Sequence, residues 1–290
     1  MSGELVVGGV AAMAGAVLYA TAPVAQARAA RRRPTTTGTG LRLMLTMARQ
    51  PVWLFGLGCD IGGFALEAFA FSNAPATLVA PLMAADLVIF VVMAHFVFGG
   101  RMDVWAWSGA GLAALGLLLL ALSFEGGAGL GELAGTAELV GFLVGVVVVS
   151  GLAALVGDRA VRANRPRPAA VVFSAASGAC YGIATLATRQ VGREFSIHEP
   201  WQLLTTLTPY VLAVCSLLGV ALTQRGLQLW PVLSFPVVSA VSSFVPVVLG
   251  AAVLGEDVPS GAARVAFVAA LVLLAGGVCL LGRARAEGEQ

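Results

Sequence analysis

Residues 51–73 read PVWLFGLGCDIGGFALEAFAFSN, a run of 23 with two acids and no base. A membrane-crossing helix needs about 20 mostly apolar residues, so the stretch is long enough to span a bilayer. Asp60 and Glu67 are seven residues apart. Seven residues make two helical turns, which puts both carboxyls on one face, about 10 Å apart along the axis. Gly63 lies on nearly the same face and admits a close neighbour or a substrate. A carboxyl in hydrocarbon is costly and must turn toward a bundle interior. The stretch therefore reads as a membrane helix with a polar inner side.

The rest of the chain repeats that pattern. Of 290 residues, 59% are hydrophobic and 11% are charged. A soluble domain carries about a quarter charged residues, so lipid is the expected surrounding. Apolar runs predict helices at 4–26, 52–73, 76–98, 104–123, 134–156, 169–190, 202–228, 232–254 and 263–282. Proline and glycine clusters separate them, as turn formers should. The expected fold is an all-α integral membrane protein of about nine transmembrane helices. All 17 basic residues are arginine. With the N-terminus outside, the inner segments hold Arg28, Arg31, Arg32, Arg33, Arg42, Arg49, Arg101, Arg159, Arg162, Arg165, Arg167, Arg225, Arg283 and Arg285, against Arg189, Arg193 and Arg264 outside. That bias places the C-terminus in the cytoplasm and the basic segment 27–50 on the inner face. A cell-membrane, multi-pass location follows, with anionic headgroups facing the arginines. The arginines sit at helix ends and form no stripe, so nucleic acid is not an expected partner. The four cysteines, Cys59, Cys180, Cys215 and Cys279, have no CxxC spacing and read as buried thiols.

Shifted by 156 residues, the chain matches itself: Gly63 meets Gly219, Pro75 meets Pro231, Ala84 meets Ala240 and Gly99 meets Gly255. The first helix pairs with the sixth through Gly15–Ala16 and Gly178–Ala179. Helices one to four (1–123) thus recur as six to nine (169–283), with 124–168 carrying an unpaired linker helix and 284–290 a short tail. Partners five spans apart have opposite orientation, so the expectation is an inverted repeat, a transporter arrangement. The same shift carries Asp60 onto Ser216, Glu67 onto Thr223 and Asp86 onto Ser242. If the halves face each other, these positions line a central pocket that binds a substrate, a proton or a cation. The competing reading makes them interhelical hydrogen bonds that hold the bundle together. Gln224 and Gln228 stand near the inner end of helix seven and are candidates for lining the path. His95 reads as a hydrogen-bonded interface residue, and Trp53, Trp105, Trp107, Trp201 and Trp230 as interfacial anchors. Pro81, Pro236 and Pro246 are expected to interrupt helices three and eight, the partners of the repeat. Gly109–Ala110–Gly111 and Gly276–Gly277 suit close helix packing.

Pro51–Val52–Trp53, Gly56, Gly63 and the run from Ala70 to Leu82 (AFSNAPATLVAPL) resemble the drug/metabolite transporter superfamily, also called EamA-like. Within it the text is most similar to the NIPA-like magnesium transporter branch. Gln224, Gly226–Leu227, Pro236, Pro246 and Leu254–Gly255–Glu256 carry the returning pattern in the second half. Where the branch resembles Gly-Glu followed by Asn, Phe64 stands at the Glu position and Glu67 at the Asn position. The resemblance implies alternating-access movement of a small solute.

Three function classes follow. The leading expectation is a proton-driven secondary transporter of a small metabolite. The alternative is a carrier of Mg²⁺ or another divalent cation, which prefers carboxylates and water. The third is a membrane protein that moves nothing. An enzyme is not expected: Ala175 replaces the Gly that a Gly-x-Ser-Gly protease motif wants ahead of Ser177–Gly178, and HExxH is absent. No cofactor is implied, a homodimer is compatible with the sequence, and any metal site is left unassigned.

Overall fold

Apolar residues run around these segments with few breaks, and in lipid only a helix satisfies every backbone group within one segment. The computed structural model accordingly is helical. It describes residues 3–31, 47–73, 79, 82–83, 85–98, 101–102, 104–123, 134–197, 202–254, 261–283 and 286–287. Among them are nine α-helices: α1 (Gly3–Arg31), α2 (Pro51–Asn73), α3 (Ala85–Phe98), α4 (Val104–Ser123), α5 (Thr136–Arg162), α6 (Pro166–Ile197), α7 (Thr208–Leu229), α8 (Pro231–Val253) and α9 (Ala262–Arg283). Six are long and apolar enough to cross a membrane, and α3, α4 and α9 contribute shorter apolar stretches. A 3₁₀ turn, Gln202–Thr205, leads into α7. Outside the helices, β1 (Arg101–Met102) pairs antiparallel with β2 (Ala286–Glu287), tying the α3–α4 connection to the C-terminal tail.

The protein is a multi-pass helical membrane protein, and its outer surface agrees. Val144, Val147 and Leu155 on α5, Phe55 and Ile61 on α2, and Val265 and Val272 on α9 are exposed large apolar side chains. A water-facing surface does not present such a density, whereas lipid tails accept it. Inside, α1 packs along α2 and against α3, and α6 packs along α7 and against α8. α4 lies along α9, and α1 also meets α7. α5 is no bystander between halves, because Leu139, Phe142 and Val146 bury against Phe173 and Cys180 of α6 and Val211 and Cys215 of α7.

Small residues set the closest approaches. A Cβ on Gly277 of α9 would stand 2.8 Å from the Gly109 carbonyl of α4, and one on Gly116 2.9 Å from the Leu274 amide. On α6, Gly178 faces Val241 and Gly182 faces Val245 and Pro246 of α8. Backbones come this close only where side chains are missing.

Several expectations need correction. α1 continues to Arg31, five residues beyond the expected end at 26, because Ala27, Ala29 and Ala30 are buried and packed. α6 likewise reaches Ile197, beyond the expected end at 190. Pro236 and Pro246 do not interrupt α8, which stays helical through both. Neighbouring helices can absorb a proline, and Gly182 leaves the room for Pro246. Trp53 and Trp230 are buried in the bundle, and Arg167 sits 4.5 Å over the Trp230 ring. They are not lipid-facing anchors, in contrast to the exposed Trp105 and Trp107. Cys59, Cys180 and Cys215 are buried, but Cys279 is exposed on α9. Pro81, Trp201, His198, Glu199 and Glu256 lie outside the described residues, as does most of the basic segment after Arg31.

Candidate functional site

α1 lies beside α2 along most of its length, and this contact builds the site. Gly63 carries no side chain, so the ring of Tyr19 rests on it; a Cβ there would be 3.0 Å from Tyr19 Cδ1. From that seat the Tyr19 hydroxyl donates a 2.8 Å hydrogen bond to Glu67 Oε2. One turn beyond Gly63 toward the start of α2, the Gln26 amide of α1 donates to Asp60 Oδ2 at 2.6 Å. The bare Gly56 admits the Gln26 stem, since a Cβ there would meet Gln26 Cγ at 2.8 Å. Asp86, in the first turn of α3, accepts from the Leu87 backbone N–H. It lies within electrostatic reach of Glu67, and all three acids lie within reach of Tyr19.

The second half has a matching contact. Gly219 of α7 takes the Tyr181 ring of α6, with a Cβ there 3.0 Å from Tyr181 Cε1. Thr223, the positional partner of Glu67, bonds Ser177 at 2.6 Å and lies within hydrogen-bonding reach of Tyr181. Ser177 donates at 2.8 Å to the Gly219 carbonyl. A chain of hydrogen bonds joins the halves: Gln224 Nε2 of α7 donates at 2.7 Å to Gln26 Oε1, and Gln26 in turn donates to Asp60. Tyr181 is also within electrostatic reach of Asp60.

The donors that hold the acids are neutral: a phenol, an amide and a backbone N–H. Among the described residues no arginine ion-pairs with Asp60, Glu67 or Asp86. The nearby Arg225 is drawn away, its guanidinium 2.8 Å from Asp158 and 5.4 Å from the centre of the Phe173 ring. Hydrogen bonds from neutral donors favour a carboxylate without cancelling its charge. The cluster thus gathers three carboxyl groups inside a bundle, held among the described residues by neutral partners. It is not a dry cage, because among the described residues no three His, Cys, Asp or Glu side chains converge as metal ligands.

Of the residues expected from sequence, Glu67, Asp60, Asp86, Gly63, Thr223 and Gln224 gather around Tyr19, Gln26 and Tyr181. Ser242 bonds back to the Ser239 carbonyl of its own helix at 3.1 Å, and Ser216 is half-buried on α7. His95 is half-buried, in edge contact with Phe96. Phe64 is 60% exposed and faces outward, so the inward acid of α2 is Glu67. Tyr19, Gln26 and Tyr181 were not expected. Their signal was present: the chain has three tyrosines, and two of them stand at mid-helix in α1 and α6, four and three residues after the paired glycines Gly15 and Gly178.

These features define a many-helix membrane protein with three carboxyl groups between its helices that, among the described residues, have no basic partner. The chain is 27% identical, over 263 residues covering 83% of it and 72% of the relative, to the probable magnesium transporter NIPA9 of Arabidopsis thaliana. No protein-family model and no solved structure matches it.

Proposed function

We propose that the chain is a membrane transporter of the NIPA-like kind, that its cargo is a divalent cation of the Mg²⁺ class, and that Glu67, Asp86 and Asp60 receive it. The observation that carries this reading is the Tyr19–Glu67 bond, with Asp86 within electrostatic reach and, among the described residues, no basic partner for either acid. Asp158 has a cationic partner in Arg225, and among the described residues Glu67 and Asp86 have none. Here the cationic position is left to the cargo. Mg²⁺ dehydrates reluctantly and is held by one or two carboxylates with water between, which suits this sparse acidic set. The relative's description points the same way.

Alternating access is the proposed route. Helix pairs α1–α2 and α1–α3 recur as α6–α7 and α6–α8, and Tyr19 on Gly63 recurs as Tyr181 on Gly219. These recurrences support an inverted repeat of two four-helix units with α5 attached to the second. They also support transport driven by the rocking of one unit against the other.

The test is Mg²⁺ uptake by proteoliposomes loaded with a Mg²⁺-sensitive dye. Wild-type protein takes up Mg²⁺, and Glu67→Gln, which keeps an oxygen for Tyr19 but removes the charge, loses at least about tenfold of the rate. Wild-type vesicles no faster than empty ones contradict the proposal. Uptake of a metabolite with an unchanged Mg²⁺ background favours the metabolite carrier instead.

A further inference from the structure

The chain from Gln224 through Gln26 to Asp60 has a direction. Gln26 turns its NH₂ toward Asp60 Oδ2 and its Oε1 toward Gln224. Gln224 must then present its NH₂ to Gln26, at 2.7 Å. That leaves Gln224 Oε1 as a spare acceptor. Gln224 is 0% exposed, and Oε1 has no hydrogen-bond partner among the described residues. A buried unsatisfied acceptor costs stability unless something donates to it.

Resting on the cation-transport reading, we infer that Asp60, Gln26 and Gln224 form a second, inner subsite that takes a divalent cation with its water shell intact, a coordinated water donating to Gln224 Oε1. The site sits where α1, α2 and α7 meet, two turns from Glu67 along α2 on the side of the α2 start. Its chemistry fits a hydrated ion better than a bare one. One carboxylate and amide oxygens are too few ligands for dehydrated Mg²⁺, yet they are good acceptors for the polarised waters of its first shell. Because the subsite draws residues from both halves of the chain, an ion there bridges them. Gln228 lies one turn further along α7, its amide donating to the Ala30 carbonyl at 3.4 Å, and continues the polar line toward the ends of α1 and α7.

The experiment is calorimetric titration of the full-length protein in detergent. Glu67→Gln removes one of the two outer acids, so the inner subsite carries more of the remaining binding. In that background Mg²⁺ still binds, and hexaamminecobalt(III), an inert cation of the same size as hydrated Mg²⁺ that cannot shed its shell, competes. Adding Gln224→Leu weakens both about tenfold, the size of one lost hydrogen bond to a charged group. A circular-dichroism spectrum and thermal midpoint of the double variant equal to those of Glu67→Gln separate loss of the site from loss of the fold. The inference is overturned if Glu67→Gln binds no Mg²⁺, if hexaamminecobalt(III) does not compete, or if Gln224→Leu changes nothing. Any of these can occur while wild-type vesicles still transport Mg²⁺, so this failure is distinct from failure of the transport proposal.

Discussion

Tyr19 does two jobs with one side chain: its ring fills the gap over Gly63 and its hydroxyl holds Glu67. Tyr19→Phe keeps the first and removes the second. The expected result is a loss of about 1.5–3 kcal/mol in stability, the range for a hydrogen bond to a charged group, read as a lowered thermal midpoint. Cation uptake weakens at the same time, through a raised KM more than a lowered kcat, because the carboxylate loses its fixed orientation. Arg225 behaves differently. Its side chain is 8% exposed and its partner Asp158 38%. Arg225→Ala leaves Asp158 partly hydrated, so its cost is about 1–3 kcal/mol, below that of a fully buried pair. Uptake per folded molecule stays close to wild type. A collapse of uptake without loss of stability contradicts that separation and puts Arg225 on the path.

Helix contacts here depend on absent side chains. Gly178→Ala places a Cβ 2.7 Å from Val241 Cβ and 2.8 Å from the Val238 carbonyl, and a carbonyl cannot rotate away. Overpacking of this kind costs about 1–3 kcal/mol and moves α6 off α8. Gly56→Ala acts on the site itself: its Cβ meets Gln26 Cγ at 2.8 Å and the Ala22 carbonyl at 2.9 Å. It should reduce binding at the Asp60 end more than at Glu67, which titration of the variant and of Glu67→Gln measures side by side. At this scale the sequence was legible where composition changes sharply. α4 begins and ends as expected, and α2, α8 and α9 match within a residue at each end. The ends of α1, α5 and α6 lie beyond the expected 26, 156 and 190 because hydropathy marks only the apolar part of a helix. Helices continue past the membrane boundary, with Arg31 over Phe98 and Arg159 and Arg162 in the last turn of α5.

The acids were found from sequence because lipid makes a buried carboxyl conspicuous. Their partners were not, since tyrosine and glutamine in an apolar helix carry no such alarm; only packing shows that Tyr19, Gln26 and Tyr181 turn inward. The unsatisfied Gln224 oxygen is a property of three helices together and could not be read from one. Orientation rests on the arginine bias, and tags in 32–46 and after Arg283 are expected to be reached only from the cytoplasmic side. The central claim is that a cation sits among Glu67, Asp86 and Asp60 within the bundle. The most direct measurement is anomalous diffraction from crystals grown with Mn²⁺ in place of Mg²⁺. The account predicts a peak between α1, α2 and α3 beside Glu67 and Asp86. Mn²⁺ found only at the loops, with none among these three acids at saturating concentration, contradicts it.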